Sequence, residues 1–139
     1  MEVSMMLRSL ILALLLLGSA PAANAAEADG PYLFDLLKQP TYLAAWNGML
    51  AGEQVPAWVG KYAKTFDGPS SPSKTVTVGG ESYLLGWICK AHDCGDNQLH
   101  VLFSPDGKRA WGLLITGQQR SWLGKPDAAI QAAIQSGVE

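Results

Sequence analysis

Cysteine and histidine are scarce in this sequence, two of each in 139 residues, and runs of one charge are missing. Two thiols allow one bridge, so a framework of several disulfides is excluded. Ten Lys and Arg stand against twelve Asp and Glu, a formal net charge of −2, and they are scattered along the chain. Phosphate binding needs clustered cations, so nucleic acid is excluded as a partner. A mildly acidic surface tolerates a basic partner. The longest apolar run, Leu10 to Leu17, breaks at Gly18 and Pro21, short of the roughly 20 residues needed to cross the hydrocarbon core of a bilayer. No membrane span is expected in the mature chain. Internal repeats and low-complexity segments are lacking too. The carboxylates fall mostly in turn chemistry, as at Asp67, Asp96 and Asp106, where backbone hydrogen bonding accounts for them. No acid/base pair stands out, and the chain does not read as an enzyme.

What is present begins with a leader. Met5-Met6-Leu7-Arg8-Ser9 runs into Leu10 to Leu17 and then into Gly18-Ser19-Ala20-Pro21-Ala22-Ala23-Asn24-Ala25. A charged start, a short apolar stretch and a small-x-small end form a secretory signal peptide, with cleavage expected after Ala25. Glu2 weakens the charge of the start, and the pattern holds equally from Met5 or Met6. No cysteine follows the apolar stretch directly, so no lipoprotein is expected. Residues 1–25 are thus expected to be removed, leaving 26–139 as one exported domain, long enough to bury a core without metals or many disulfides. Excision takes away Arg8 and Glu2, so the net charge of −2 persists. Both cysteines lie in the exported part, where a disulfide is their default fate.

Periodicity divides that domain in two. Pro31 suits a first helical position, with Tyr32, Leu33, Leu36 and Leu37 following at helical spacing. A second helix is predicted from Pro40, carrying Leu43, Ala44, Trp46, Met49 and Leu50. A third runs from Pro56 to Lys64, with Trp58, Val59 and Tyr62 on one side. Asp67-Gly68-Pro69-Ser70-Ser71-Pro72-Ser73 is turn chemistry and marks the change of class. Strands are predicted at Thr75 to Val78 and Glu81 to Cys89, around a Gly79-Gly80 hairpin turn, and at Leu99 to Ser104 and Arg109 to Thr116, around Pro105-Asp106-Gly107-Lys108. At least four antiparallel strands result. Trp111, Leu113 and Ile115 alternate with Ala110, Gly112 and Leu114, so both faces of that strand are buried and a helix must cover part of the sheet. Pro126 to Gln135 supplies it through Ala129, Ile130, Ala133 and Ile134, ending near Gly137. The fold class is α+β, an antiparallel sheet flanked by helices.

Cys89-Lys90-Ala91-His92-Asp93-Cys94-Gly95-Asp96-Asn97 lies between the second and third strands. A bridge between Cys89 and Cys94 would constrain the unfolded chain by only about 2 kcal/mol. Such a clamp is better explained as fixing the shape of a protruding loop, so that less ordering entropy is lost when the loop binds something.

The hexapeptide Cys89-Lys90-Ala91-His92-Asp93-Cys94 resembles the signature of Ivy-type inhibitors, bacterial periplasmic inhibitors of vertebrate (c-type) lysozyme. Length and element order are similar too, including Trp122-Leu123-Gly124 read as a turn before the last helix. The family's usual third residue is Pro, where this chain has Ala91. Pro fixes one φ angle and Ala does not, so the bridge and further hydrogen bonds must supply loop stiffness. The resemblance implies that the loop enters the lysozyme cleft, that His92 contacts the two catalytic carboxylates, and that Lys90, Ala91 and Asp93 flank it at the interface. An imidazole can hydrogen-bond through both ring nitrogens, and nearby negative charge favours imidazolium. The implied consequence is protection of peptidoglycan in the periplasm. Control of the bacterium's own lytic transglycosylases, which cleave the same bond, is an alternative within the binding class. No cofactor is implied.

Competing readings use the same residues. Cys89, His92, Cys94 and His100 are four plausible zinc or copper ligands, although their spacing is unlike the usual close pairs separated by a long stretch. His100, beside Leu99 and Val101, reads as a satisfied strand residue instead. A thiol oxidoreductase needs Cys-x-x-Cys at a helix start, and this spacing is wider and beside strands. Ser71-Pro72-Ser73-Lys74 matches Ser-x-x-Lys, but Pro69 and Pro72 disfavour the helix that motif needs, and no Ser-Asp-Asn or Lys-Thr-Gly follows. Trp46, Trp58, Trp87 and Trp111 fall on apolar periodic faces and read as core. Trp122 is the one expected to line a surface.

Overall fold

Proline at a first helical position loses nothing, because its missing N–H is one that the first turn leaves unpaired. In a computed structural model, which describes residues 30–138, Pro40 opens α2 (Pro40–Leu50), after a short α1 (Leu33–Leu37) and before α3 (Ala57–Thr65). The expected leader, residues 1–25, lies outside the described residues. The strands are β1 (Ser70–Val78), β2 (Glu81–Cys89), β3 (Asn97–Phe103), β4 (Ala110–Thr116) and β5 (Gln119–Leu123), and α4 (Ala128–Ser136) closes the chain. Asp127 caps α4, its side chain accepting from the Ile130 amide at 2.9 Å, which satisfies one of the orphan donors of the first turn.

The five strands form an antiparallel meander in the order β1-β2-β3-β4-β5. Strand alternation sends Ile88, Leu99, Val101, Phe103 and Leu114 to one face, where they pack with Leu33, Leu37, Trp46, Met49 and Val59 of α1 to α3. Leu85, Leu102, Trp111, Leu113 and Ile115 go to the other, against Ile130, Ala133 and Ile134 of α4. The double burial expected for β4 is therefore met by helices on both sides. The turn at Gly79-Gly80 has both residues at positive φ, 57° and 80°, the type I′ pattern whose twist matches a hairpin. In the β3–β4 hairpin, Asp106 accepts from the Ser104 hydroxyl at 2.7 Å and from the Lys108 amide at 3.0 Å. The Lys108 amide, then the Ser104 hydroxyl, hold its carboxyl below the usual carboxylate range.

Three expectations are corrected. α1 begins at Leu33 with an extended Tyr32 as its N-cap, so Pro31 lies before the helix and not at its first position. β1 begins at Ser70, inside the segment read as turn, and its register shifts between Ser71 and Lys74. Proline is tolerated on an edge strand at such a bulge. The Ser73 amide and hydroxyl both donate to the Pro31 carbonyl, at 3.0 and 2.6 Å, and the Gly30 amide donates to the Ser73 carbonyl at 2.8 Å. The segment before α1 thus covers this edge. Trp122 and Leu123 are likewise strand rather than turn, and the chain reverses before them, where Thr116 pairs with Gln119 and Gly117 has φ 59°. A positive φ at the first of two turn residues is the Gly-x form of a hairpin.

Candidate functional site

β2 and β3 pair up to Cys89 opposite Gln98, and the chain between them forms the loop. Cys89 is fully buried at the end of its strand and is bridged to Cys94, with Cα atoms 5.0 Å apart. The bridge uses both sulfurs, so neither serves as a thiolate ligand. His100 is drawn into the sheet, and no group of three or more His, Cys, Asp or Glu suited to a metal ion occurs among the described residues.

Inside the bridge, Lys90 to Asp93 make a tight turn, the Asp93 amide donating to the Lys90 carbonyl at 3.1 Å. His92 takes the third position with φ 64°, whereas Ala91 is not at positive φ. That is the type II pattern, which needs φ > 0 at its third residue and favours proline at its second. A proline at the place of Ala91 would suit that backbone φ. A left-handed backbone costs a non-glycine residue about 1 kcal/mol, and histidine is among the residues that accept it more readily. Lys90, Ala91, His92 and Asp93 are all exposed.

Several hydrogen bonds hold this turn in place of a proline ring. The Lys90 amide donates to the Asn97 carbonyl at 3.0 Å, and the Asn97 amide returns to the Asp93 carbonyl at 3.2 Å. The Asn97 side chain donates to Asp93 Oδ2 at 2.8 Å. The Gly117 amide donates to the Asp96 carbonyl at 2.7 Å, and the Cys89 amide to that of Pro69 at 3.2 Å, so neighbouring turns brace the loop base. A further bond crosses from the helical layer: the Ala91 amide donates to Tyr62 Oη at 2.9 Å. Sequence pattern alone marks Tyr62 as a helix core residue and Asn97 as loop. A buried tyrosine hydroxyl needs a partner, which was the one available signal for Tyr62.

The remaining candidates lie elsewhere. His100 is 6% exposed and shares Gln98 Oε1 with the Trp87 indole N–H, at 3.1 and 3.4 Å. Indole nitrogen only donates, so that oxygen is the acceptor and His100 holds its proton on Nε2. Burial first, then the charges of Arg120 and Lys74, lower the pKa of His100 to about 4. It is a neutral sheet residue, as expected. Trp46, Trp58 and Trp111 are buried as predicted, but Trp87 is only half-buried. It lies with Ser71, Lys74, Leu85 and His100 along a shallow groove of about 270 Å³ that reaches Gly137, just past α4.

Taken together, the site is an exposed turn closed by a disulfide. The sequence profile of the Ivy family, described as inhibitor of vertebrate lysozyme, matches residues 41–136, from α2 through all five strands and the bridged loop to α4. The chain belongs to the Ivy family. It is similar to the inhibitor of vertebrate lysozyme of Pseudomonas aeruginosa, 44% identical over 110 residues, covering 78% of this chain and 69% of that protein. The inhibitor of vertebrate lysozyme of Escherichia coli is 34% identical over 113 residues, covering 77% and 69%. An uncharacterised protein of Yersinia pestis is 36% identical over 137 residues, covering 87% and 86%. Among the described residues, no helix of this Ivy family member is long and apolar enough to cross a membrane.

Proposed function

We propose that this protein is a periplasmic inhibitor of c-type lysozyme that places the Cys89–Cys94 turn in the enzyme's active-site cleft, with His92 between the two catalytic carboxylates. The observation that carries the reading is the presentation of His92. Its side chain is exposed at the tip of a turn that a disulfide and a set of backbone hydrogen bonds hold in one shape.

A retaining glycosidase pairs an acid of raised pKa with an ionised carboxylate roughly 5 Å away. One imidazole can engage both through its two ring nitrogens and fill the space where the scissile bond must sit. Lys90, Ala91 and Asp93 flank the ring and meet the cleft walls, and their preset backbone limits the entropy lost on docking. Residues 1–25 direct export and are then removed, residues 26–139 act as one inhibitor domain, and the outcome is protection of peptidoglycan. The test is a titration of the purified protein against a c-type lysozyme on cell-wall substrate. Stoichiometric loss of lytic activity is expected. Full activity at a large molar excess of the protein rules the reading out.

A further inference from the structure

We infer that Tyr62 is a positioning residue for the inhibitory turn: its hydroxyl latches the turn to the helical layer through the Ala91 amide. This rests on the reading of the turn as the inhibitory element. Tyr62 is 6% exposed, and its ring is fixed on α3 by edge contacts with Phe34 and Trp58, at centroid distances of 5.7 and 5.4 Å. Gly68 presses on the same ring from the chain leading into β1. A Cβ there would lie 2.7 Å from Tyr62 Cζ, so only glycine leaves the ring its seat. The hydroxyl therefore has little freedom, and it meets the Ala91 amide at 2.9 Å.

That amide is a consequential place to hold. Ala91 precedes His92, whose φ of 64° is a conformation the residue does not prefer. The other loop bonds join Lys90 and Asp93 to each other and to Asn97 at the start of β3, and Asp96 to Gly117. The Tyr62 bond ties the turn's second residue to the helical layer. An Ala91 N–H and a Tyr62 hydroxyl thus form a pair in which each needs the other. A proline at the position of Ala91 would fix φ itself but would have no proton to give, and its ring carbon would crowd Oη.

Tyr62→Phe keeps the aromatic packing and removes only the oxygen. One neutral hydrogen bond corresponds to about a three- to tenfold change in an equilibrium, so lysozyme inhibition should weaken by about that factor. The Ala91 amide should exchange with solvent faster in the free protein, while Tm falls by no more than the several degrees one such bond corresponds to. In an Ala91→Pro background, where the donor is gone, Tyr62→Phe should cause no further loss. A loss of equal size in both backgrounds would show that the hydroxyl acts through general stability and would overturn the latch. So would parental inhibition together with parental Ala91 exchange in Tyr62→Phe. His92→Ala, measured alongside, separates the two levels. Inhibition that survives His92→Ala removes the active-site reading, whereas inhibition lost in His92→Ala but intact in Tyr62→Phe removes the latch alone. Ala91 exchange reports on the latch even if the parent protein inhibits no lysozyme.

Discussion

The two histidines of the chain show how differently one side chain is used on either side of a strand end. His92 is exposed and held at φ 64°, so its backbone works against stability while its ring is free to bind. Glycine adopts that backbone without a steric penalty. His92→Gly should therefore keep or slightly raise stability, by up to about 1 kcal/mol. The same change should remove about 2 to 5 kcal/mol of lysozyme binding, the range for truncating one member of a desolvated, charge-assisted contact. Opposite signs from one substitution are the test, read by urea unfolding and by inhibition. A variant that binds like the parent sinks the role of the ring. His100 is buried, and its pKa is lowered from 6.5 to about 4. The unfolded chain then binds more protons than the folded one between those values, so stability falls as pH drops through that window. A shift of this size corresponds to about 3 kcal/mol. The urea midpoint should decline between about pH 7 and pH 4 in the parent, and the decline should be much shallower in His100→Gln. Equal declines in both proteins would assign the acid sensitivity to other groups.

At the scale of elements, the loop is rigid for reasons the sequence shows only in part. The pairing of Cys89 with Cys94 was legible because two cysteines in an exported segment have one natural outcome. The hairpins at Gly79-Gly80 and Pro105 to Lys108 were legible because their turn residues act locally. What could not be read were the contacts between distant segments. Ser70 to Ser73 look like a turn by composition, and they become a bulged edge strand because Pro31 and Gly30, some forty residues earlier, bond to Ser73. β5 was missed since Gln119, Arg120 and Ser121 are exposed and polar, with no alternating apolar pattern to mark them. Tyr62 meets Ala91 across 29 positions of sequence, and nothing local to either residue announces it. Loop rigidity is therefore shared between a covalent clamp and several hydrogen bonds, which bears on what removing the clamp does. Replacing Cys89 and Cys94 together by Ser should lower stability by about 2 kcal/mol and leave a folded protein. Affinity for lysozyme should fall about tenfold, as the freed turn pays ordering entropy on docking. Unchanged affinity in a folded double variant would show that the hydrogen bonds alone preset the turn. Loss of the fold would show that the bridge supports the sheet as well.

For the molecule as a whole, the arrangement separates support from contact. Helices cover the sheet on both faces, so the core is closed around β3 and β4, and the β2–β3 connection emerges at one end with its charged and polar residues in solvent. On the proposed function the tip must find a cleft in another protein, and the long-range field then matters before any contact forms. This chain carries a formal net charge of −2 with no cluster of either sign, whereas c-type lysozymes are basic. Their attraction acts over about 30 Å at 0.01 M salt but only about 8 Å at 0.15 M. Screening of surface charge changes encounter more than it changes a docked, desolvated contact. The association rate should accordingly fall a few-fold between those salt concentrations, while the dissociation rate stays within about a factor of two. Stopped-flow or surface-based kinetics at several ionic strengths would measure both rates on one preparation. A flat association rate would mean that a net charge this small does not steer. A dissociation rate that climbs steeply with salt would mean that the docked contact is itself screened. That outcome is incompatible with a His92 ring buried between two carboxylates, because a pair removed from solvent is screened far less than an exposed one.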